Sequence, residues 1–321
     1  MPKTVQELFF PSDFRVAKQS FRREVNPKKS SKWIVRSEHL IGIEVEVEGL
    51  NSAPRGHCDV ASSQTFIQEL LPDGTVPADF EELRYWRMVG DGSLRNRGHE
   101  FITKPFTASY SGVVLGELFA CLDRFGFSCT PRTGVHVHLN ALDMTLQQVQ
   151  RFVAAYTIVE PLLYKYVGRN RANNIFCVPL IDTNLLENIP GRVKDGEWYK
   201  YTGLNLLPLR EHGTIEFRQM HGTAKIDKLI GWINMICSIK DFVMSRHNFP
   251  DIYYSSKGSV NAYQIVRDIL GDSSELLKPD WFPLVYASLV ESKRVFSTHG
   301  LKGLSGGTFK ESAFYNFKEI L

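Results

Sequence analysis

Three short stretches of the chain carry reactive side chains at every second residue. "IGIEVEVEG" (41–49) sets Glu44, Glu46 and Glu48 on one side of an extended chain, with Ile41, Ile43, Val45 and Val47 on the other, because successive strand side chains point to opposite faces. "GVHVHLN" (134–140) does the same with His136, His138 and Asn140 against Val135, Val137 and Leu139. "GTIEFRQ" (213–219) sets Thr214, Glu216 and Arg218 against Ile215 and Phe217. An ordinary half-buried strand mixes polar types on its wet face. Carboxylates repeated about 6–7 Å apart with no Lys or Arg among them repel one another, so something positive must sit nearby. Hard oxygen donors with an imidazole suit Mg²⁺ or Mn²⁺, and the absence of Cys from the set argues against structural zinc. Several carboxylates, a His and an Arg around divalent metal suit phosphoryl transfer, where neutralising a nucleotide's phosphates is most of the work. Glu100, in "GHEFITKP" (98–105), is a candidate to join them. Each stretch also has a plainer reading: a solvated edge strand, two surface histidines, a cross-strand ion pair.

The elements that must position these residues follow from periodicity. A strand is expected at 40–48. A hairpin is expected from 84–94 and 98–105, turning at "DGSLRNRG". Val114, Leu118, Cys121, Leu122 and Phe125 recur at helical spacing, which predicts a helix over 108–125. "TLQQ" (145–148) is a capping box opening a helix to about Val167, with a kink expected at Pro161. Strands are expected at 201–209 and 213–220, and a helix at 225–245. Residues 49–80 read as loop or insertion, and the last part as mainly helical with a Gly-rich end, "HGLKGLSGGT". The basic start, including "RREVNPKKSSK" (22–32), reads as a loosely packed arm. Hairpins mixed with helices favour an α+β fold with a largely antiparallel sheet. If the three strands share one curved sheet, their reactive faces line a cavity and helices cover the apolar back. The domain expectation is an arm at 1–38, a catalytic domain at 39–245 and a helical extension at 246–321.

Composition bounds the function without choosing it. The 321 residues are 43% hydrophobic and 23% charged, with net charge +3, which is globular and too mildly basic to argue for nucleic acid or a membrane surface. Cys58, Cys121, Cys129, Cys177 and Cys237 are scattered and form no C-x-x-C pair, so reduced thiols in a cytoplasmic compartment are expected. The start lacks a signal-peptide apolar region, and no apolar run of ~18 residues exists to span a membrane. No P-loop or kinase-type Gly-rich loop occurs, so a nucleotide must be held by another kind of fold.

The ordered set Gly42-x-Glu44-x-Glu46, Asp91-Gly92-Ser93-Leu94 with Gly98-x-Glu100-Phe101, Gly134-x-His136-x-His138 and Glu216-Phe217-Arg218 resembles the amidoligase family. These are carboxylate–amine ligases related to glutamine synthetase and γ-glutamylcysteine synthetase. The resemblance spans about residues 40–245 and includes "GRNRANNIFC" (168–177), Asn205 and Gly222-Thr223. It implies a glutamine-synthetase-like catalytic domain with a curved, mainly antiparallel sheet and helices on its outer face. It implies ATP and Mg²⁺ (or Mn²⁺), a carboxylate phosphorylated to an acyl phosphate, and attack by an amine to give an amide or peptide-like bond. Carried over by position, Glu44, Glu46, Glu100, His136 and Glu216 would be metal ligands, and Arg218, Glu46 and His138 the catalytic set. Arg171, Asn174, Asn205 and Arg218 would be nucleotide contacts. Glu48 extends the acidic row by one, which leaves the register of the ligand pair open. The resemblance suggests a phage or bacterial source, and small-molecule or peptide carboxylates and amines as substrates. It leaves the oligomeric state open. A zinc or iron hydrolase built on the H-x-H strand is the alternative, though only Asp143 follows in "LNALDM" and no regular βα alternation is seen. A nucleic-acid scaffold rests on the basic arm alone and is opposed by the acidic row.

Overall fold

The computed structural model describes residues 2–10, 35–50, 86–96, 98–103, 105–186, 188–245 and 258–278, and positions 281, 284, 286, 287, 289 and 290. The basic stretch 22–32, residues 51–85, Cys58 and the Gly-rich end lie outside them. Period-two stretches become strands and helical-period stretches become helices. In chain order these are α1 (Val5–Phe9), β1 (Leu40–Val47), β2 (Trp86–Val89), β3 (His99–Thr103), β4 (Phe106–Thr107), α2 (Ser111–Phe125) and β5 (Gly134–Asn140). Then follow α3 (Leu146–Val167), β6 (Leu204–Asn205), β7 (Thr214–His221), α4 (Ile226–Ser245) and α5 (Gly258–Leu270). The fold is α+β, and β1 pairs antiparallel with β3, β4 and β5, as β2 does with β3.

Contacts divide the described residues into two units. One comprises those within 1–16, 140–216 and 235–321; the other comprises those within 17–139 and 217–234. In the second unit the strands lie in the order β2-β3-β1-β5-β7, and β4 also pairs with β1. The N-terminal residues of β7 belong to the first unit, where β6 is their neighbour. The apolar faces expected from alternation are buried: Ile41, Ile43, Val45 and Val47 on β1, and Val135, Val137 and Leu139 on β5. Each such side chain contributes about 1.5–3 kcal/mol by leaving water. Trp232 of α4 meets Phe217 of β7 edge-on, with ring centroids 6.3 Å apart, so a helix covers the apolar side.

In the first unit α3 opens with the expected capping box. Thr145 Oγ1 accepts from Gln148 N at 3.2 Å, and Gln148 Oε1 accepts from Thr145 N at 2.8 Å. The helix runs unbroken through Pro161 and ends at Gly168, whose φ of 117° a side chain would resist. Lys240 of α4 is buried and donates to Asn140 O at 2.8 Å and Asp143 Oδ1 at 2.7 Å.

Two expectations are corrected. The stretch 201–209 is not one strand: only Leu204–Asn205 pairs, and Pro208–Glu211 is a helical turn. Proline opens a helix readily because its missing N–H is unsatisfied there anyway. Residues 2–10 are not a loose arm. Thr4 caps α1, Val5 is fully buried, and Val5 N and Gln6 N donate to Met144 O and Leu142 O at 2.7 and 3.1 Å.

Candidate functional site

Strand register decides which reactive groups meet. β1 lies between β3 and β5, with Glu44 opposite His136, Gly42 opposite His138, and Glu46 opposite Glu100. Opposed residues hold their Cβ atoms about 4.5–5.5 Å apart, within reach of these side chains. The Glu44 carboxylate is engaged at both oxygens: His136 Nδ1 lies 3.0 Å from Oε2 and His138 Nε2 lies 3.1 Å from Oε1. Gly42 presents no side chain beside His138, which leaves the diagonal reach to Glu44 open. Glu46 is buried, its Oε2 accepts from Gly134 N at 2.6 Å, and its Oε1 lies 3.7 Å from His136 Nε2. Arg218 Nη1 lies 3.5 Å from His136 Nδ1. A protonated Nδ1 donates to Glu44 and a bare Nδ1 accepts from Arg218, so the tautomer chooses between them.

The same surroundings push these carboxyls in opposite directions. Burial works to raise Glu44, but hydrogen bonds and charge from His136 and His138 prevail and hold it well below the ordinary carboxylate range. Burial lifts Glu46 above that range, with Asp91 adding repulsion while His136, Gly134 N–H and Arg218 oppose. Glu100 is pushed up to about 10 by burial and then by the charges of Glu44 and Glu46. The face is therefore short of positive charge, as the row of acids implied. Ligand atoms of Glu44, Glu100 and His136 all lie within 4.8 Å of one another, and so do those of Glu46, Asp91 and Glu100. Two overlapping donor sets of hard oxygens with one imidazole fit Mg²⁺ or Mn²⁺.

The remaining predicted residues are placed as follows. Glu216 is buried on β7 and accepts from Asn205 Nδ2 at 2.6 Å, while Asn205 Oδ1 accepts from Leu207 N at 3.1 Å. Asn205 thus orients Glu216. Arg218 is two residues further along β7, on the same face as Glu216. Arg171 is buried at the helical turn Arg169–Ala172, and Asn174 Oδ1 accepts from Phe176 N at 2.8 Å. Arg171, Asn174, Asn205 and Glu216 belong to the first unit; Glu44, Glu46, Glu100, His136, His138 and Arg218 belong to the second.

Two residues read differently in three dimensions. Asp91 was matched as part of a motif and given no ligand role, yet it completes the second donor set. Its Oδ1 also accepts from Ser93 N at 2.7 Å, so the turn aims it. The signal was the acidic first residue of "DGSL". Glu48 is buried just past β1, and its Oε1 accepts from Arg95 N at 2.7 Å. Glu48 thus holds the hairpin turn, while Glu44 and Glu46 stand opposite His136 and Glu100. Glu48→Ala removes the acceptor of the Arg95 N–H, and the expected cost is about 1 kcal/mol of stability. Chemical denaturation should show that loss, while Mn²⁺ titration should match wild type.

The sequence profile of the family described as "Putative amidoligase enzyme" matches residues 37–239, well over half of the chain. No curated protein matches it. A solved structure described as a novel glutamine synthase homolog aligns over 88% of this chain and 71% of its own, at 15% identity and a TM-score of 0.39. The matched span contains every strand that carries the acid and histidine face, and the chain belongs to the amidoligase family, which makes its activity of the ligase kind.

Proposed function

We propose that the protein is an ATP- and Mg²⁺- or Mn²⁺-dependent carboxylate–amine ligase that forms an amide or peptide-like bond through an acyl phosphate. The observation that supports this most is the pair of donor sets sharing Glu100 on one sheet face, inside the family-matched span. Glu44, Glu46, Glu100 and His136 would hold metal, with Asp91 added to them and Glu216 brought in as a further ligand. Divalent metal there supplies charge neutralisation to the nucleotide's phosphates.

The chain's own groups divide the remaining work. The guanidinium of Arg218, a planar fork of donors, stabilises the phosphoryl group as it transfers. The carboxylate oxygen of the substrate attacks the γ-phosphorus, and the bond to ADP breaks. The amine nitrogen then attacks the acyl carbon, inorganic phosphate leaves, and the nitrogen sheds a proton. Glu46 is the carboxylate that accepts that proton. His138 faces the phosphates while its Nε2 stays tied to Glu44. Arg171 and Asn174 contact the nucleotide. Substrates are small-molecule or peptide carboxylates and amines. A cytoplasmic setting is supported by the scattered cysteines, which form no C-x-x-C pair. Among the described residues no helix is long and apolar enough to cross a membrane.

Asn205→Ala is expected to weaken Mn²⁺ binding about 10–100-fold, the usual effect of removing a group that orients a ligand. Electron paramagnetic resonance of free Mn²⁺ measures this, and wild-type affinity would remove Asn205 from the site.

The reading is tested by thermal midpoints with ATP or ADP in Mg²⁺, Mn²⁺ or Zn²⁺. A rise that needs both nucleotide and Mg²⁺ or Mn²⁺ supports it. A rise with Zn²⁺ alone, indifferent to nucleotide, defeats it.

A further inference from the structure

Glu160 lies outside every motif of the site, in the C-terminal half of α3, and its side chain is 0% exposed. An apolar residue would fill such a place without the cost of desolvating a carboxyl. Glu160 instead accepts three hydrogen bonds: Tyr156 Oη to Oε1 at 2.8 Å, Leu180 N to Oε1 at 2.7 Å, and Ile181 N to Oε2 at 3.1 Å. Two successive backbone N–H groups, at the start of the 3-10 turn Leu180–Asp182, therefore grip both oxygens. One turn along α3, Tyr164 Oη donates to the Cys177 carbonyl, and the Cys177 thiol donates to Arg171 O at 3.2 Å.

Tyr156, Glu160 and Tyr164 are spaced by four and share one face of the helix. That face ties down segment 171–181 in its middle and at its end, and Cys177 reaches back to its start. The tip between these ties is exposed, with Ile175 71% accessible. The segment carries Arg171 and Asn174.

We propose that Glu160 is a positioning residue: by holding the Leu180 and Ile181 N–H groups it keeps segment 171–181 preformed, so that Arg171 and Asn174 engage the nucleotide without first being ordered. This rests on the ligase reading, in which those two residues contact nucleotide. Preforming a binding segment raises affinity by removing the cost of ordering it. The titratable groups that act on Glu160 are Tyr156 and Tyr164 from α3, and Asp182 just beyond the segment; Arg171 and Cys177 act on Tyr164 beside it. Burial lifts the Glu160 carboxyl to about 7, against the pull of Leu180 N–H, Tyr156 O–H and Ile181 N–H. Once protonated, one of its oxygens carries a hydrogen and can no longer accept equally well, so the grip loosens as pH falls through that value.

Calorimetric titration of the full chain with ATP in Mg²⁺, at pH 6 and pH 8, tests this on wild type, Glu160→Gln and Tyr156→Phe. At pH 8 Glu160→Gln should bind ATP about tenfold more weakly, because its amide sets an N–H against a backbone N–H. At pH 6 the variant and wild type should agree to within about twofold, since both side chains are then neutral. Mn²⁺ binding without nucleotide should be unchanged. Tyr156→Phe removes one donor to the carboxylate, so the pH at which ATP affinity falls should move upward. It also decides the matter if Glu160→Gln does not fold. Equal ATP affinities at pH 8, or a Tyr156→Phe pH profile superimposed on wild type, would overturn the proposal and leave Glu160 a purely structural anchor. A wild type that binds Mn²⁺ but neither ATP nor ADP overturns the ligase reading itself, and this role with it.

Discussion

Glu44→Gln is expected to abolish the rise in thermal midpoint that Mg²⁺ and ATP give the wild type. Both oxygens of Glu44 are occupied, one by His136 and one by His138. A carboxamide keeps one acceptor oxygen and puts an amino group where the other stood, so one histidine loses its partner. The donor set loses a negative oxygen at the same time. Ligand at 100 times its dissociation constant stabilises the folded state by about 2.7 kcal/mol, and a hundredfold weaker site leaves only about 0.4 kcal/mol of that. Scanning fluorimetry at fixed ligand concentrations reads the difference. Retention of the full shift would remove the metal–nucleotide centre from β1. The metal-free variant should also be less stable at neutral pH. Glu44 titrates well below its unfolded value of 4.5, so its interactions stabilise the fold above that pH and are lost as pH falls through the folded value. The gap between variant and wild type should therefore close in acid.

Glu100→Gln is expected to do the reverse to the metal-free protein and the same to the metal site. Glu100 titrates near 10 in the fold, through burial and the charges of Glu44 and Glu46, against 4.5 as the ordinary value. Between those values the folded state holds a proton that the unfolded chain gives up, so stability falls as pH rises. At pH 7 the cost is roughly 3 kcal/mol. Glutamine has nearly the same shape, carries no proton to lose and can still donate to Glu44. In EDTA at pH 8 the variant should have the higher midpoint, and the gap should shrink toward pH 5. With Mn²⁺ and ATP the order should invert, because the variant lacks the oxygen that both donor sets share. A lower midpoint for Glu100→Gln in EDTA at pH 8 would show that the crowding of carboxylates on this face is not a cost to the fold. The two variants together separate a carboxylate already satisfied by histidines from one crowded by other acids.

Much of the fold was legible because its signals are local. Alternation marked β1, β3, β5 and β7 and assigned each residue to a face; Thr145 and Gln148 marked the start of α3; helical spacing marked α2 and α4. Where the outcome depended on distant partners the local signal failed. The stretch "YTGLNLLPL" alternates well enough for a strand, yet only Leu204 and Asn205 find a neighbour to pair with, and Pro208 turns the chain into a helical turn. Residues 2–10 look weakly patterned, and the burial of Val5 depends on the Leu142 and Met144 carbonyls far along the chain.

The sequence by itself determined which side chains share a face, because period two is a property of the extended backbone and needs no partner. It also determined the chemical type of the site, since the row Glu44, Glu46, Glu48 names an acidic face before any contact is known. Only the tertiary structure decided the register, placing Glu44 against His136 and Glu46 against Glu100, and removing Glu48 to the Arg95 amide. Register then decided charge. Glu44 and Glu100 are the same residue type on one face, yet two imidazoles pull the proton affinity of one down while burial, and then its fellow carboxylates, push that of the other up. Proton affinity answers to burial and to the nearest charges, and those neighbours come from strands far apart in the chain.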